Sequence, residues 1–135
     1  MDENLKLQTR DNLLTAMHGE AFAYVKYMLF ADRARKNGRT DLASLFESTA
    51  NQERLEHFAE EAELAGLVGS DADNLRDAIA GESYEVDSMY GDFAQQARNA
   101  GDQAAADRFG EIRRDERGHR DGYKAAAANL SEPKL

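Results

Sequence analysis

Glu82 and Glu85 lie three residues apart in this chain, and so do Glu116 and His119. At that spacing both side chains of a pair share one face of a helix. In each case the face is otherwise apolar, so the carboxylates fall where hydrocarbon is expected. Glu20 and Glu53 occupy similar places in the two preceding segments, and Glu56 and His57 follow Glu53. Glutamates are almost never fully buried unpaired. Burying several together is worse, because each raises the pKa of the others and desolvation opposes ionisation. No arginine or lysine occupies a matching stripe position. Two divalent or trivalent cations would supply the missing charge. Oxygen ligands mixed with imidazole suit iron or manganese better than zinc. One glutamate from each of two helices and a Glu-x-x-His pair from each of two others is the di-iron or di-manganese carboxylate arrangement of helical bundles.

Four segments must position these residues. Asn37-Gly38, the stretch from Gly66 to Ser70, and Ala100-Gly101 are the breaks, and Thr40 can cap the segment after the first. Between them, roughly 9–36, 40–65, 71–99 and 102–130 read at helical period. The apolar stripe of the first runs through Leu13, Met17, Glu20, Tyr24, Tyr27, Ala31 and Ala34. The second follows Leu42, Leu45, Phe46, Thr49, Ala50, Glu53 and then Glu56 or His57. The third follows Leu75, Ile79, Glu82, Glu85 or Val86, Met89, Phe93 and Ala97. The fourth follows Ala105, Phe109, Ile112, Glu116, His119, Tyr123, Ala126 and Leu130. The halves echo each other at an offset of 63: Tyr27, Phe30, Ala31, Phe46 and Glu53 pair with Tyr90, Phe93, Ala94, Phe109 and Glu116. Two related helical hairpins are expected, since two copies are too few for a solenoid.

Composition narrows the function classes. The 135 residues fit one domain, 1–135, with a frayed tail at about 131–135. There is no cysteine, which excludes disulfides, zinc ribbons and thiol catalysis. A net charge of −9 argues against nucleic acid or an anionic membrane as partner. No stretch approaches the roughly 18 apolar residues of a membrane helix, and no signal peptide is visible, so a cytoplasmic location is expected. No glycine motif forms a phosphate cradle. His18 reads as a surface residue, and Tyr27 and Tyr90 read as core aromatics. A lone glutamate on an inferred core face is more often a surface residue with its phase misjudged. Four helices showing one at the same depth argue against that. The remaining alternatives are ferroxidase-type iron oxidation, storage or delivery with the same ligands, and a metal-free structural bundle.

The chain resembles the rubrerythrins. Asn12-Leu13-Leu14-Thr15-Ala16 with Gly19-Glu20, Tyr27 and Phe30 looks like their opening helix. Gly81-Glu82-Ser83-Tyr84-Glu85 with Met89-Tyr90 and Phe93-Ala94 resembles their third. Phe46 with Thr49-Ala50-Asn51-Gln52-Glu53-Arg54, and Asp115-Glu116-Arg117-Gly118-His119, resemble the second and fourth. The resemblance implies a ferritin-like four-helix bundle with a di-iron centre that reduces hydrogen peroxide or reacts with dioxygen. By motif match it implies Glu20, Glu53, Glu82, Glu85, Glu116 and His119 as metal ligands, with Glu85 also a candidate proton shuttle. Manganese could replace iron. The cysteine-free chain cannot hold a rubredoxin-type iron centre, so an external electron donor, such as a rubredoxin or a reductase, is expected.

Two departures from the family pattern matter. The second helix reads Glu53-Arg54-Leu55-Glu56-His57 where the family has Glu-x-x-His. In register, Glu56 takes the ligand place; if one residue is accommodated as a π-bulge, His57 takes it. The stripe downstream of a bulge is somewhat more apolar, which favours His57 over Glu56. Second, the link between the second and third helices is short. In ferritin-like bundles these helices run parallel, and a helix of about 26 residues is about 40 Å long. About seven extended residues reach only about 25 Å. Either the bundle is up-down-up-down or two chains exchange hairpins; the expectation is a homodimer completed by helix-hairpin exchange.

Overall fold

A computed structural model describes residues 5–131, and every regular element among them is helical. Helix α1 spans Leu7–Lys36. A continuous second rod is formed by α2 (Thr40–Gln52), a π-helical segment π1 (Glu53–Phe58) and α3 (Ala59–Ala65). A third is formed by α4 (Asp71–Tyr84), a π-helical segment π2 (Glu85–Met89) and α5 (Tyr90–Ala100). Helix α6 (Gln103–Ser131) is the fourth. The four segments expected from periodicity match these rods within two residues at each end. The all-α expectation is met. The expected frayed tail beyond Ser131 lies outside the described residues. No helix among those described is long and apolar enough to cross a membrane.

The chain divides into two compact units, Met1–Val68 and Gly69–Leu135. Each is a helical hairpin. Three rods end alike: the N–H groups of Arg39, Leu67 and Asp102 bond the carbonyls of Ala34, Ala62 and Ala97, each at 2.9 Å. That is the Schellman ending, which needs a left-handed residue just before the donor. Gly38, Gly66 and Gly101 supply it, with φ of 73°, 60° and 86°. Helix starts differ. Thr40 does not cap the second rod; it is the first helical residue, Arg39 holds the cap position, and no side chain caps it. Ser70 caps the third rod in a reciprocal box with Asp73.

Alanine lines the closest approaches within each hairpin. In the first, Ala31, Ala34 and Ala43 pack with Phe46, while Met17, Ala62 and Ala65 pack with Leu13, Leu14 and Phe58. In the second, Ala94, Ala106 and Val86 are buried. The stripe expected on the second rod is turned accordingly. Ala50 is buried as expected, but Ala43 joins it in place of Leu45, which stays 60% exposed, because the smaller side chain permits the shorter helix separation. The internal echo is visible as geometry. Tyr27, Phe30 and Phe46 form a triangle of rings 5.4–6.2 Å apart, and Tyr90, Phe93 and Phe109 form another at 5.7–6.4 Å. Each ties the two legs of its hairpin together near the turn.

Candidate metal centre

In the first hairpin, α1 presents Glu20 toward Glu53 and His57 of π1. The His57 Nδ1 donates to Glu53 Oε2 at 2.7 Å and lies 3.9 Å from Glu20 Oε1. The π-helical segment takes up the residue that makes this motif one longer than Glu-x-x-His. Glu56 faces elsewhere: it is exposed and accepts a hydrogen bond from Gln52 Nε2 at 3.1 Å.

The second hairpin repeats the trio. Glu82 comes from α4, and Glu116 and His119 from α6. His119 Nδ1 donates to Glu116 Oε2 at 2.6 Å and lies 3.7 Å from Glu82 Oε2. In each trio one ligand atom from every member lies within 4.8 Å of the others. Glu85, half-buried, is outside the trio. It is near enough to Tyr90 to act on it, together with Glu116 and Glu82. His18 is exposed and joins neither group.

The electrostatics show what these groups do without a cation. The side chains of Glu20, Glu53, Glu82 and Glu116 retain only 26%, 16%, 18% and 16% exposure. A hydrogen bond with Glu53 holds the Glu20 carboxyl above its ordinary range, and burial adds to this. The same bond lowers Glu53. The contact thus drives the proton affinities of the two carboxyls apart. Burial raises Glu82, with the bond to Glu116 next in size. His57 is raised chiefly by its bond to Glu53, and His119 by its bond to Glu116. Tyr90 is raised by burial and then by Glu85, Glu116 and Glu82. One acceptor remains unmet: Glu82 Oε2 is buried and has no hydrogen-bond partner. Carboxylate oxygens with imidazole, and a buried oxygen lacking a donor, form a donor set that fits a hard to borderline cation.

Residue spacing also carried a signal that the constant offset concealed. Glu20 and Glu82 are 62 apart, Tyr27 and Tyr90 are 63 apart, Glu53 and Glu116 are 63 apart, and His57 and His119 are 62 apart. Each change of offset coincides with a π-helical segment, π2 at the first and π1 at the second. Sequence reasoning considered the second and missed the first.

The chain is similar to known proteins. The rubrerythrin family profile matches residues 11–59 and 54–127. A rubrerythrin from Porphyromonas gingivalis is 36% identical over 98% of this chain and 72% of its own length. A rubrerythrin from Nitratidesulfovibrio vulgaris is 33% identical over 95% and 73%, and nigerythrin from the same organism is 32% identical over 93% and 68%. A solved structure of fully reduced, all-ferrous nigerythrin aligns with a TM-score of 0.48 at 31% identity, covering 98% of this chain and 73% of that one. By profile and by identity, this all-helical chain, with one carboxylate–histidine trio in each hairpin, belongs to the rubrerythrin family.

Proposed function

We propose that the two trios are ligand sets of a di-iron centre with which the protein reduces hydrogen peroxide, or reacts with dioxygen, as an oxidative-stress defence in the cytoplasm. Electrons come from an external donor such as a rubredoxin or a reductase. The observation that carries this reading is the repetition of one Glu, Glu, His trio in both hairpins of a rubrerythrin-family chain. Glu20, Glu53, His57, Glu82, Glu116 and His119 hold the metal; manganese would suit the same donors. Bound iron supplies redox electrons and Lewis acidity. His57 and His119 give up their Nδ1 protons on loading, so uptake releases protons and weakens as pH falls. Glu85, next to but outside its trio, would complete the ligand set and would relay a proton to an oxygen of the peroxide as its O–O bond is cleaved. Glu56, exposed and bonded to Gln52, is outside the set we propose. With helices ending at Ala65 and restarting at Asp71, the link is short for a single-chain ferritin-like bundle, and a homodimer with exchanged hairpins is the arrangement we propose.

Metal content per chain tests this first, on protein purified without chelator, beside Glu53→Ala with Glu116→Ala. The expected result is about two irons per chain, lost in the double variant. Rapid oxidation of the anaerobically reduced protein by added peroxide is then expected. No iron after anaerobic Fe(II) loading would remove the reading. Many irons per chain would replace peroxide reduction with iron storage. A fully loaded protein of monomeric mass would remove the exchanged dimer.

A further inference from the structure

The π2 segment leaves one backbone acceptor without its usual partner. Where it ends, the Tyr90 N–H bonds the Glu85 carbonyl, five residues back. In an α-helix that donor would serve Val86, four back. Val86 is the largest fully buried side chain among the described residues, 1% exposed, so water is a poor substitute. Arg113 of α6 meets the carbonyl: its Nε donates to Val86 O at 2.6 Å. The guanidinium lies against Gly91, where an added Cβ would sit 3.3 Å from Cζ and Nη1. Farther along α6, Arg120 Nη1 donates to Asp87 Oδ1 at 3.1 Å, with its own side chain 16% exposed.

What this grip holds is the relation between Glu82, Glu85 and Tyr90. Glu82 and Tyr90 are eight residues apart, whereas their counterparts Glu20 and Tyr27 are seven apart. Seven residues make two α-helical turns; the eighth needs the wider π turn to bring both groups to one face. Tyr90 is indeed within the influence of Glu85, Glu116 and Glu82. In the first hairpin α1 has no π segment. The residues matching Arg113 and Gly91 there are Ala50 and Met28, so the device is found only where the irregularity is.

The geometry assigns Arg113 as a positioning residue for the second ligand set: its guanidinium replaces the backbone donor lost at Val86, locks π2, and keeps Glu82, Glu85 and Tyr90 on one face. The consequence for metal rests on the di-iron reading; the consequence for the helix does not.

The test uses the full chain as Arg113→Met, Arg113→Lys and Gly91→Ala. Hydrogen exchange on the metal-free protein should be faster across 85–91 in Arg113→Met and Gly91→Ala, unchanged across 53–58, and partly restored by Arg113→Lys. On Fe(II) titration one of the two equivalents should weaken by about tenfold or more, the usual effect of losing a supporting contact, and the Co(II)-substituted spectrum should shift. Unchanged exchange in both Arg113→Met and Gly91→Ala would overturn the clamp. Faster exchange with unaltered metal affinity and spectrum would overturn the positioning role. If Arg113→Met does not fold, Arg113→Lys decides, since it keeps the charge but has no Nε–H to place on the Val86 carbonyl: unchanged exchange across 85–91 in that variant would overturn the clamp. A wild-type chain that takes up no metal would defeat the di-iron reading, while the exchange data would still judge the clamp.

Discussion

The two hairpins arrive at the same Glu, Glu, His trio with their irregularities in opposite legs. In the first, the extra residue lies between Glu53 and His57, inside the trio itself, and π1 absorbs it. In the second, Glu116 and His119 keep ordinary α-helical spacing, and the extra residue lies after Glu85, beside the trio. The second irregularity is gripped by Arg113 and Arg120; the position matching Arg113 in the first is Ala50. An insertion within a ligand motif is held by the motif's own contacts. An insertion outside it needs a partner to fix its phase.

Removing each extra residue is the most forceful way to break that contrast. Deleting Leu55, which is 63% exposed, restores Glu-x-x-His and lets the rod run as plain α-helix. The downstream faces keep their phase, so the chain should fold, bind metal and melt near the wild-type temperature. Deleting Ser88 also straightens its rod, but the Val86 carbonyl then regains a backbone donor and the part-buried Arg113 loses its acceptor. A part-buried donor left without its acceptor costs about 1 kcal/mol, toward the low end for an unmet polar group, so this deletion should lower the melting temperature more. Thermal unfolding of both deletions checks the order, and a larger loss from the Leu55 deletion would reverse the argument.

The same contrast explains what could be read from the sequence. Helix limits were legible because the Asn37-Gly38 and Ala100-Gly101 breaks impose left-handed turns that few other residues accept. The trios were legible because Glu20, Glu53, Glu82 and Glu116 interrupt apolar stripes. Phase within a rod was less legible. Leu42 and Leu45 looked like core by hydrophobicity, yet helix separation is set by the smallest side chains, and Ala43 occupies the contact beside the expected Ala50. Arg113 was invisible, because its partner is a main-chain carbonyl freed by a backbone irregularity. No side-chain pattern encodes such a carbonyl; only the change of offset from 62 to 63 hinted at it.

Overpacking the close approaches asks how alike the hairpins are in their cores. Ala31 and Ala94 are counterparts in the echo, 0% and 4% exposed. Leucine at either must push two helices apart or adopt a strained rotamer, at about 1–3 kcal/mol. Ala31→Leu and Ala94→Leu should therefore destabilise similarly in denaturant melts, with the slope unchanged. A wide disparity between them would show that the repeated pattern hides different helix separations.

The smallest expected effect concerns the helix starts, where the hairpins differ again. Ser70 Oγ accepts from the Asp73 N–H at 3.2 Å, and Asp73 Oδ2 accepts from the Ser70 hydroxyl at 2.5 Å. Arg39 at the start of α2 makes no such bond. Ser70→Ala should cost about 1 kcal/mol at neutral pH, whereas Arg39→Ala should cost almost nothing. The difference should depend on pH. The Ser70 hydroxyl bond, then a backbone bond from Ser70 and the charge of Arg76, holds the Asp73 carboxyl below its ordinary value. A lowered carboxyl contributes stability that is full above the unfolded pKa and is lost as pH falls through the folded one. The gap between wild type and Ser70→Ala should thus narrow below about pH 4, near the unfolded aspartate value. It should not close, because the Ser70 oxygen still accepts from the Asp73 N–H when the carboxyl is protonated. A gap that is constant down to the acid limit would mean that the bond from the Ser70 hydroxyl to the Asp73 carboxylate contributes nothing, and that the serine matters only as the acceptor for the Asp73 N–H.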